Sequence, residues 1–536
     1  MKQLPWLLLL IATHTYAQKD PLASVYQYQV KVETRTAFLW IPPHCKYVRG
    51  IIFAMENALE KNWMEDPIVR KAAEDEDLAM VFLADGTPGT LTTITYEMKP
   101  AARQLLDKMF VDMATISGYT ELKSAPLILT GHSWNGRAAW TYTSANPGRV
   151  IIAIPIRTYP MPDTLQLSGV PLCYIVGQTT ELPQYSDGRP GDRDFFWPIV
   201  RHTALALRAQ NESNLIGVVT YPGGCHMDWS DDQSQFLALL IHKACKYRLP
   251  DEKPADGKVS LRPITPDMGW VTDTGGMDPD RHLPAPYRKY KGDPKRAYWF
   301  FDKELALAAR TFNGDRKPRS KQMITFIKGK DTLPVKKNGY IDLPLETQND
   351  GMHFTVKGGF LQQVPEGLID AGDPLGHAAN GAFSFRVVMG PCVQEGPDSF
   401  RIAFDRQKPR NIMIMATQPG DDNYRRALQP AVITILPVLT NGPPQTIDFP
   451  EIKDQPASSK PIPLHAVASS GLPVSYYVVS GPAIINDHQL QLTGIPPRSK
   501  YPVAVTVVAY QWGTPQVQSA PAVTRSFLIY ASASNP

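Results

Sequence analysis

Between Val48 and Cys245, short apolar runs alternate with stretches of helical spacing. The runs are Val48–Ala54, Leu78–Leu83, Leu127–Leu129, Val150–Ile154, Leu172–Val176 and Leu215–Val219. Each is short, β-rich and, apart from Arg49 near the start of the first, apolar, the signature of a strand covered on both faces. Between and after them, Trp63–Glu76, Met98–Ile116, Phe195–Ala209 and Gln233–Cys245 carry helical patterns, as in Leu105, Leu106, Met109 and Met113. Strands alternating with helices specify a doubly wound α/β domain with a mainly parallel sheet. Residues 25–41 alternate (Val25, Tyr28, Val30, Val32, Phe38, Trp40) and read as an antiparallel hairpin at the sheet edge. Ligands in such sheets bind beyond the carboxyl ends of the strands.

One strand end is distinctive. Leu127-Ile128-Leu129 runs into Gly131-His132-Ser133, and the chain resumes as helix-favouring Arg137-Ala138-Ala139-Trp140. Strand, tight turn with a serine at its tip, then helix is the outline of a nucleophile elbow. The usual pattern is Gly-x-Ser-x-Gly, with small residues two before and two after the serine. Here Gly131 is in place, Asn135 stands at the second small position, and the glycine comes one later, at Gly136. Asn is among the few non-glycine residues that tolerate left-handed backbone conformations, so the turn remains possible with Asn135 in that position. His132 is expected to pack beneath the turn.

A serine nucleophile needs a base and an orienting acid, in the chain order serine, acid, histidine for this fold. The run Leu172–Val176 leads into Gly177-Gln178-Thr179-Thr180-Glu181. The run Leu215–Tyr221 leads into Gly223-Gly224-Cys225-His226-Met227-Asp228. Ser133, Glu181 and His226 therefore stand in the required order, each just past a strand. Asp187, Asp192 and Asp194 compete with Glu181 for the acid, whereas Asp228 does not follow the acid's usual strand. Two N–H donors should hold the oxyanion: the backbone of Trp134, and Asn57 in the loop after Gly50–Ala54. Arg193 serves either as a polar substrate clamp or as part of an acidic, aromatic helix start.

Downstream the pattern changes. Residues 251–322 read as a linker rich in Pro, Gly and charge, with one helix at Ala297–Phe312. Residues 323–440 carry short β runs (Met323–Ile327, His353–Val356, Phe383–Met389, Phe400–Phe404, Ile412–Met415, Ala431–Leu436) and read as a β-sandwich. Residues 446–536 alternate cleanly and read as a second sandwich, immunoglobulin-like but without the cysteine pair. The ends of the two units look alike, Ala416–Ile435 beside Ala509–Ile529, which hints at duplication.

The N-terminus reads as a secretory signal. Lys2 is followed by apolar Leu4–Ala12 and by Thr15-Tyr16-Ala17, so cleavage is expected after Ala17, leaving residues 20–250 as the α/β domain. No later run reaches about 18 apolar residues, so no membrane span is expected. A net charge of +4 over 536 residues, with no long Lys/Arg block, excludes nucleic acid as partner. The five cysteines form no Cys-x-x-Cys pair and no His-Glu-x-x-His occurs, so neither a metal nor any other cofactor is called for. Cys225 is read as a packed residue.

Residues 48–247 resemble the α/β-hydrolase superfamily, most of all secreted bacterial esterase-like members. The resemblance rests on Gly131-His132-Ser133 at the elbow and Cys225-His226-Met227-Asp228 at the base, where Asn135 and Cys225 replace glycines. It implies hydrolysis of carboxylic esters through an acyl-serine. Ser469-Ser470-Gly471-Leu472-Pro473 and Ser480-Gly481-Pro482 are similar to immunoglobulin-like modules appended to exported bacterial proteins. A carbohydrate ester is the favoured substrate, by association with exported multidomain hydrolases; polyester, peptide and lipid substrates stay open. The competing reading is an inactive hydrolase fold serving as a binding or scaffold protein.

Overall fold

The computed structural model describes residues 20–84, 100–177, 196–221, 224–251, 259–273, 282–312, 319–367, 370–407, 411–436 and 438–532. The segment expected to be a signal lies outside them.

Eight strands build the first sheet. They are β1 (Tyr28–Val32), β2 (Arg35–Trp40), β3 (Gly50–Met55), β4 (Leu78–Ala84), β5 (Leu127–His132), β6 (Val150–Ile156), β7 (Leu172–Gly177) and β8 (Ile216–Tyr221). Their order is β1-β2-β4-β3-β5-β6-β7-β8. β1 and β2 pair antiparallel, β2 pairs antiparallel with β4, and the remaining pairs are parallel. This is the α/β-hydrolase fold. β3, β4, β5, β6, β7 and β8 are buried at every position, as continuous apolar runs require. The chain leaves β3 toward β4 on one side and returns to β5 on the other. That reversal opens a crevice at the carboxyl ends of β3 and β5, where ligands bind in doubly wound sheets.

The expected helix at Trp63–Glu76 is two helices, α1 (Glu60–Met64) and α2 (Pro67–Asp75). Pro67 cannot sit inside a helix, and Asp66 starts the second by accepting N–H groups from Ile68 and Val69. The others are α3 (Pro100–Ser117), α4 (Gly136–Ala145), α5 (Phe196–Gln210) and α6 (Asp231–Arg248).

The segment expected to be a linker is instead built onto the α/β core. Trp270–Thr272, Ala285–Pro286 and Tyr298–Phe300 form a small antiparallel sheet. The expected helix at Ala297–Phe312 begins only at Lys303, because the Asp302 carboxylate takes the Leu305 N–H at 3.0 Å and starts the helix there (α7, Lys303–Phe312). The aromatic run before it is a buried strand packed on β8. A Cβ at Gly217 would lie 2.8 Å from the Trp299 carbonyl oxygen and 2.9 Å from the Phe300 ring. Fully buried Arg208 ties α5 to this segment through the carbonyls of Ala297 and Pro294.

The two remaining β units share one plan. In the first, a four-stranded sheet runs Ile341–Asp342, Ala427–Ile433, Ile412–Gln418, Ser384–Met389, and a three-stranded sheet runs His353–Thr355, Ser399–Ile402, Cys392–Gln394. In the second, the corresponding sheets run Gln455–Pro456, Val523–Tyr530, Val503–Tyr510, Ser475–Ser480 and Ile462–Pro463, Gln489–Leu492, Ala483–Asn486. In both, the short edge strand is parallel to its neighbour. In both, the register shifts at the same place, between Val387 and Met389 and between Val478 and Ser480. In both, a glycine with positive φ, Gly390 or Gly481, then crosses to the second sheet. Val387-Val388-Met389-Gly390-Pro391 and Val478-Val479-Ser480-Gly481-Pro482 are the copies of that corner. The duplication hinted at by the sequence thus extends to every strand of both sheets. The second unit packs on the first hairpin: Gly481 N–H donates to the Tyr26 carbonyl at 2.8 Å, and Arg498 reaches Glu121 at 2.8 Å.

Candidate functional site

β5 delivers the elbow. Its last residue, His132, is extended, and Ser133 turns to φ 53°, a left-handed conformation that costs a non-glycine residue energy. A short turn over Ser133–Asn135 leads into α4. Strand and helix meet closely. A Cβ on Gly131 would lie 2.7 Å from the Asn135 carbonyl oxygen, and one on Gly136 would lie 2.7 Å from Thr158 Cβ and 2.8 Å from the Gly131 carbonyl oxygen. The second small position is therefore Gly136, three residues after the serine.

Asn135 does not use the left-handed conformation open to it. It is helical (φ −78°, ψ −15°), and Ser133 alone absorbs the reversal. The Asn135 side chain instead crosses the crevice. Its amide donates to the carbonyls of Met55 (3.2 Å) and Glu56 (2.8 Å), at the end of β3. The residue that breaks the small-residue pattern thus pins the elbow to the neighbouring strand.

His226 lies beyond the end of β8, and its Nε2 is 3.0 Å from Ser133 Oγ. The two side chains are brought together from positions 93 residues apart. His132 is fully buried beneath them, with its ring 4.7 Å from that of His226. Burial pushes its pKa well below the usual histidine value, so it is neutral. Its Nε2 lies 2.9 Å from the His226 carbonyl oxygen, which assigns the proton to that nitrogen. His132 therefore supports the backbone of His226. Cys225 is buried, as expected for a packed residue.

Glu60 was not anticipated as part of the site. Fully buried, it accepts the His132 N–H at 2.8 Å on Oε1, and the N–H groups of Asn57 (2.8 Å) and Ala58 (2.9 Å) on Oε2. Burial raises its pKa to about 7, against these three hydrogen bonds that favour the carboxylate. Glu60 is the first residue of α1 and reaches back to N–H groups of the loop before the helix, an arrangement that no helix-start pattern in the sequence signals. Asn57, nominated as an oxyanion donor, gives its backbone N–H to Glu60, and its side-chain amide stands 3.4 Å from the His132 carbonyl oxygen.

Trp134 follows Ser133 and is 43% exposed, an unusual place for an indole. The Arg137 guanidinium lies 4.7 Å from the Trp134 ring and 3.8 Å from the Tyr159 ring. The three side chains form an aromatic ledge beside Ser133. Glu181, Asp187, Asp192, Arg193 and Asp194 lie outside the described residues. β7 ends at Gly177, four positions before Glu181. Asp228, which the sequence set aside as acid, is fully buried and bound by Arg386 Nη2 at 3.0 Å. Among the described residues no group of three or more His, Cys, Asp or Glu side chains could hold a metal ion. Among them, too, no helix is long and apolar enough to cross a membrane.

No family model matches the sequence, and no curated protein does. Solved structures are similar. Poly(aspartic acid) hydrolase-1 from Sphingomonas sp. KT-1 matches with a TM-score of 0.29 and 14% identity, over 40% of this chain and 97% of that one. A poly(3-hydroxybutyrate) depolymerase from Bordetella parapertussis matches with a TM-score of 0.31 and 14% identity, over 43% and 94%. An S-formylglutathione hydrolase from Agrobacterium tumefaciens matches with a TM-score of 0.29 and 12% identity, over 41% and 93%. The assignment of the fold rests on the strand order and the elbow.

Proposed function

We propose that this protein is an exported serine hydrolase of carboxylic esters. The observation that carries the reading is the 3.0 Å approach of His226 Nε2 to Ser133 Oγ, with Ser133 in a left-handed turn at the end of β5. In this reading His226 takes the hydroxyl proton as Ser133 attacks the ester carbonyl, and then passes it to the departing alcohol. The Trp134 backbone N–H, in the turn before α4, supports the oxyanion, with the Asn57 side-chain amide as second donor. Water, activated by the same histidine, releases the acid from the acyl-serine. Glu181 orients His226, and Arg193 clamps the substrate. The substrate is an ester of a carbohydrate, with the sugar ring lying on the Trp134 ledge. The two β units, the second of immunoglobulin type, hold the enzyme at its polymer.

The test is labelling by a fluorophosphonate probe. Wild type should label, and Ser133→Ala and His226→Ala should not. An unlabelled wild type with a normal melting transition refutes the enzyme and favours a binding protein on a hydrolase scaffold. Acetyl, feruloyl and glucuronoyl sugar esters then test the substrate class.

A further inference from the structure

The loop carrying His226 is held at both ends by the first β unit, which belongs to another part of the chain. At its start, Tyr221 closes β8, and the Arg426 guanidinium lies 5.2 Å from its ring. At its far end, Asp228 is fully buried, with Arg386 Nη2 at 3.0 Å and Arg426 Nη1 at 3.7 Å. Arg386 stands on the strand Ser384–Met389, and Arg426 directly precedes the strand Ala427–Ile433. A carboxylate taken fully out of water is tolerated when it is paired and hydrogen-bonded. The loop can therefore keep Asp228 inside only while this β unit is docked.

The duplication supplies an internal comparison. The register shift aligns Val387 with Val478, so the position before it is Arg386 in one copy and Tyr477 in the other. The copy that touches the loop of the base carries the arginine. The copy that packs on the first hairpin carries a tyrosine.

We propose that Arg386 and Arg426 are positioning residues for His226, so that the first β unit is part of the catalytic machinery and not a spacer. The inference rests on the hydrolase reading above. The side chain of Asp228 is anchored by Arg386, and the carbonyl of His226 by His132 Nε2 at 2.9 Å. Between these anchors the imidazole has little freedom to leave the 3.0 Å line to Ser133 Oγ. Loss of Arg386 leaves the buried carboxylate, two residues from His226, with only the longer 3.7 Å approach of Arg426. Asp228 then moves toward water and takes His226 with it, and a shift on the order of 1 Å in a catalytic group costs about 100-fold in rate.

The experiment uses the full chain, with fluorophosphonate labelling and steady-state hydrolysis of p-nitrophenyl acetate. Labelled wild type establishes the hydrolase reading independently. In Arg386→Ala, the labelling rate and kcat should fall about 10- to 100-fold with KM within about twofold. Arg386→Lys should recover part of the loss, because a cation again meets the carboxylate. Arg386→Ala combined with Asp228→Asn should label faster than Arg386→Ala alone, since removing both partners of a buried pair is milder than removing one. Arg401→Ala, on the same β unit but paired with Glu395 away from the loop, should leave kcat unchanged. If wild type labels and Arg386→Ala labels equally fast, the proposal is overturned. It is also overturned if Asp228→Asn alone is as inactive as His226→Ala, which would make Asp228 the acid itself. A fall in melting temperature with kcat intact would assign the pair a purely structural role and overturn it as well.

Discussion

Replacing Asn135 by glycine separates the sequence pattern from the structure. The substitution brings the elbow to Gly-x-Ser-x-Gly, so the pattern alone forecasts an enzyme at least as good. The structure forecasts damage. The Asn135 amide donates two hydrogen bonds, to Met55 and Glu56 carbonyls, from a side chain only 7% exposed. Each such bond contributes about 0.5–1.5 kcal/mol net, so losing both costs about 1–3 kcal/mol. Glycine at a helical position adds about 0.5–1 kcal/mol in backbone entropy. The same two bonds set the distance between the elbow and the post-β3 loop that carries Asn57. If all of the hydrogen-bond loss falls on the transition state, kcat/KM drops by up to about 100-fold, at tenfold per 1.4 kcal/mol. Urea unfolding measures the first quantity, and fluorophosphonate labelling with p-nitrophenyl acetate hydrolysis the second. Asn135→Ala should resemble Asn135→Gly but lose less stability, and Asn135→Asp should be worst, because a carboxylate would face two carbonyl oxygens. An Asn135→Gly protein as stable as wild type and equally fast would refute the role given to Asn135.

Three further outcomes are expected. Glu60, raised by burial from 4.5 to about 7, holds its proton more tightly folded than unfolded. Its contribution to stability is therefore fully present below about pH 4.5 and is lost as pH rises toward 7, a fall on the order of 3 kcal/mol. Urea midpoints across that window should show a shallower fall in Glu60→Gln than in wild type; parallel curves would remove Glu60 as the titrating group. Arg406 pairs with Glu65 at 2.9 Å, with both side chains nearly buried at 7% and 5% exposure, and so joins the first β unit to α1. Arg406→Ala leaves the glutamate only the longer 3.9 Å approach of Lys61 and should cost about 3–5 kcal/mol in urea unfolding, against about 0–1 for an exposed pair such as Lys328–Glu346. Finally, Edman sequencing of protein recovered from the culture medium or periplasm should begin at Gln18; an intact Met1 there would contradict the signal peptide.

The limits of a sequence reading show at particular residues. The doubly wound sheet was legible because six apolar runs can be buried on both faces in few other ways. Ser133 and His226 were legible because each follows a strand of that sheet, and strand ends on one edge converge without further instruction. The helix at 63–76 and the strand at 298–300 were misjudged for local reasons, a proline with its cap in one case and an aromatic run before an aspartate cap in the other. The duplication showed only faintly, because the copies keep the corner at Gly390 and Gly481 while their surfaces differ.

By itself the sequence determined which runs are strands and which serine and histidine stand just past strand ends. Hydrophobic period and turn chemistry are local properties, written in neighbouring residues. Only the tertiary structure decided what the polar residues around them do. Asn135 looked like a flaw in a turn and is a tie to β3. Glu60 drew no notice in the sequence and is the buried acceptor for three N–H groups beneath the elbow. Asp228 looked like a loop carboxylate and is paired with an arginine 158 residues away. The role of a polar side chain is set by the partner it meets once water is excluded, and the fold supplies that partner from distant sequence.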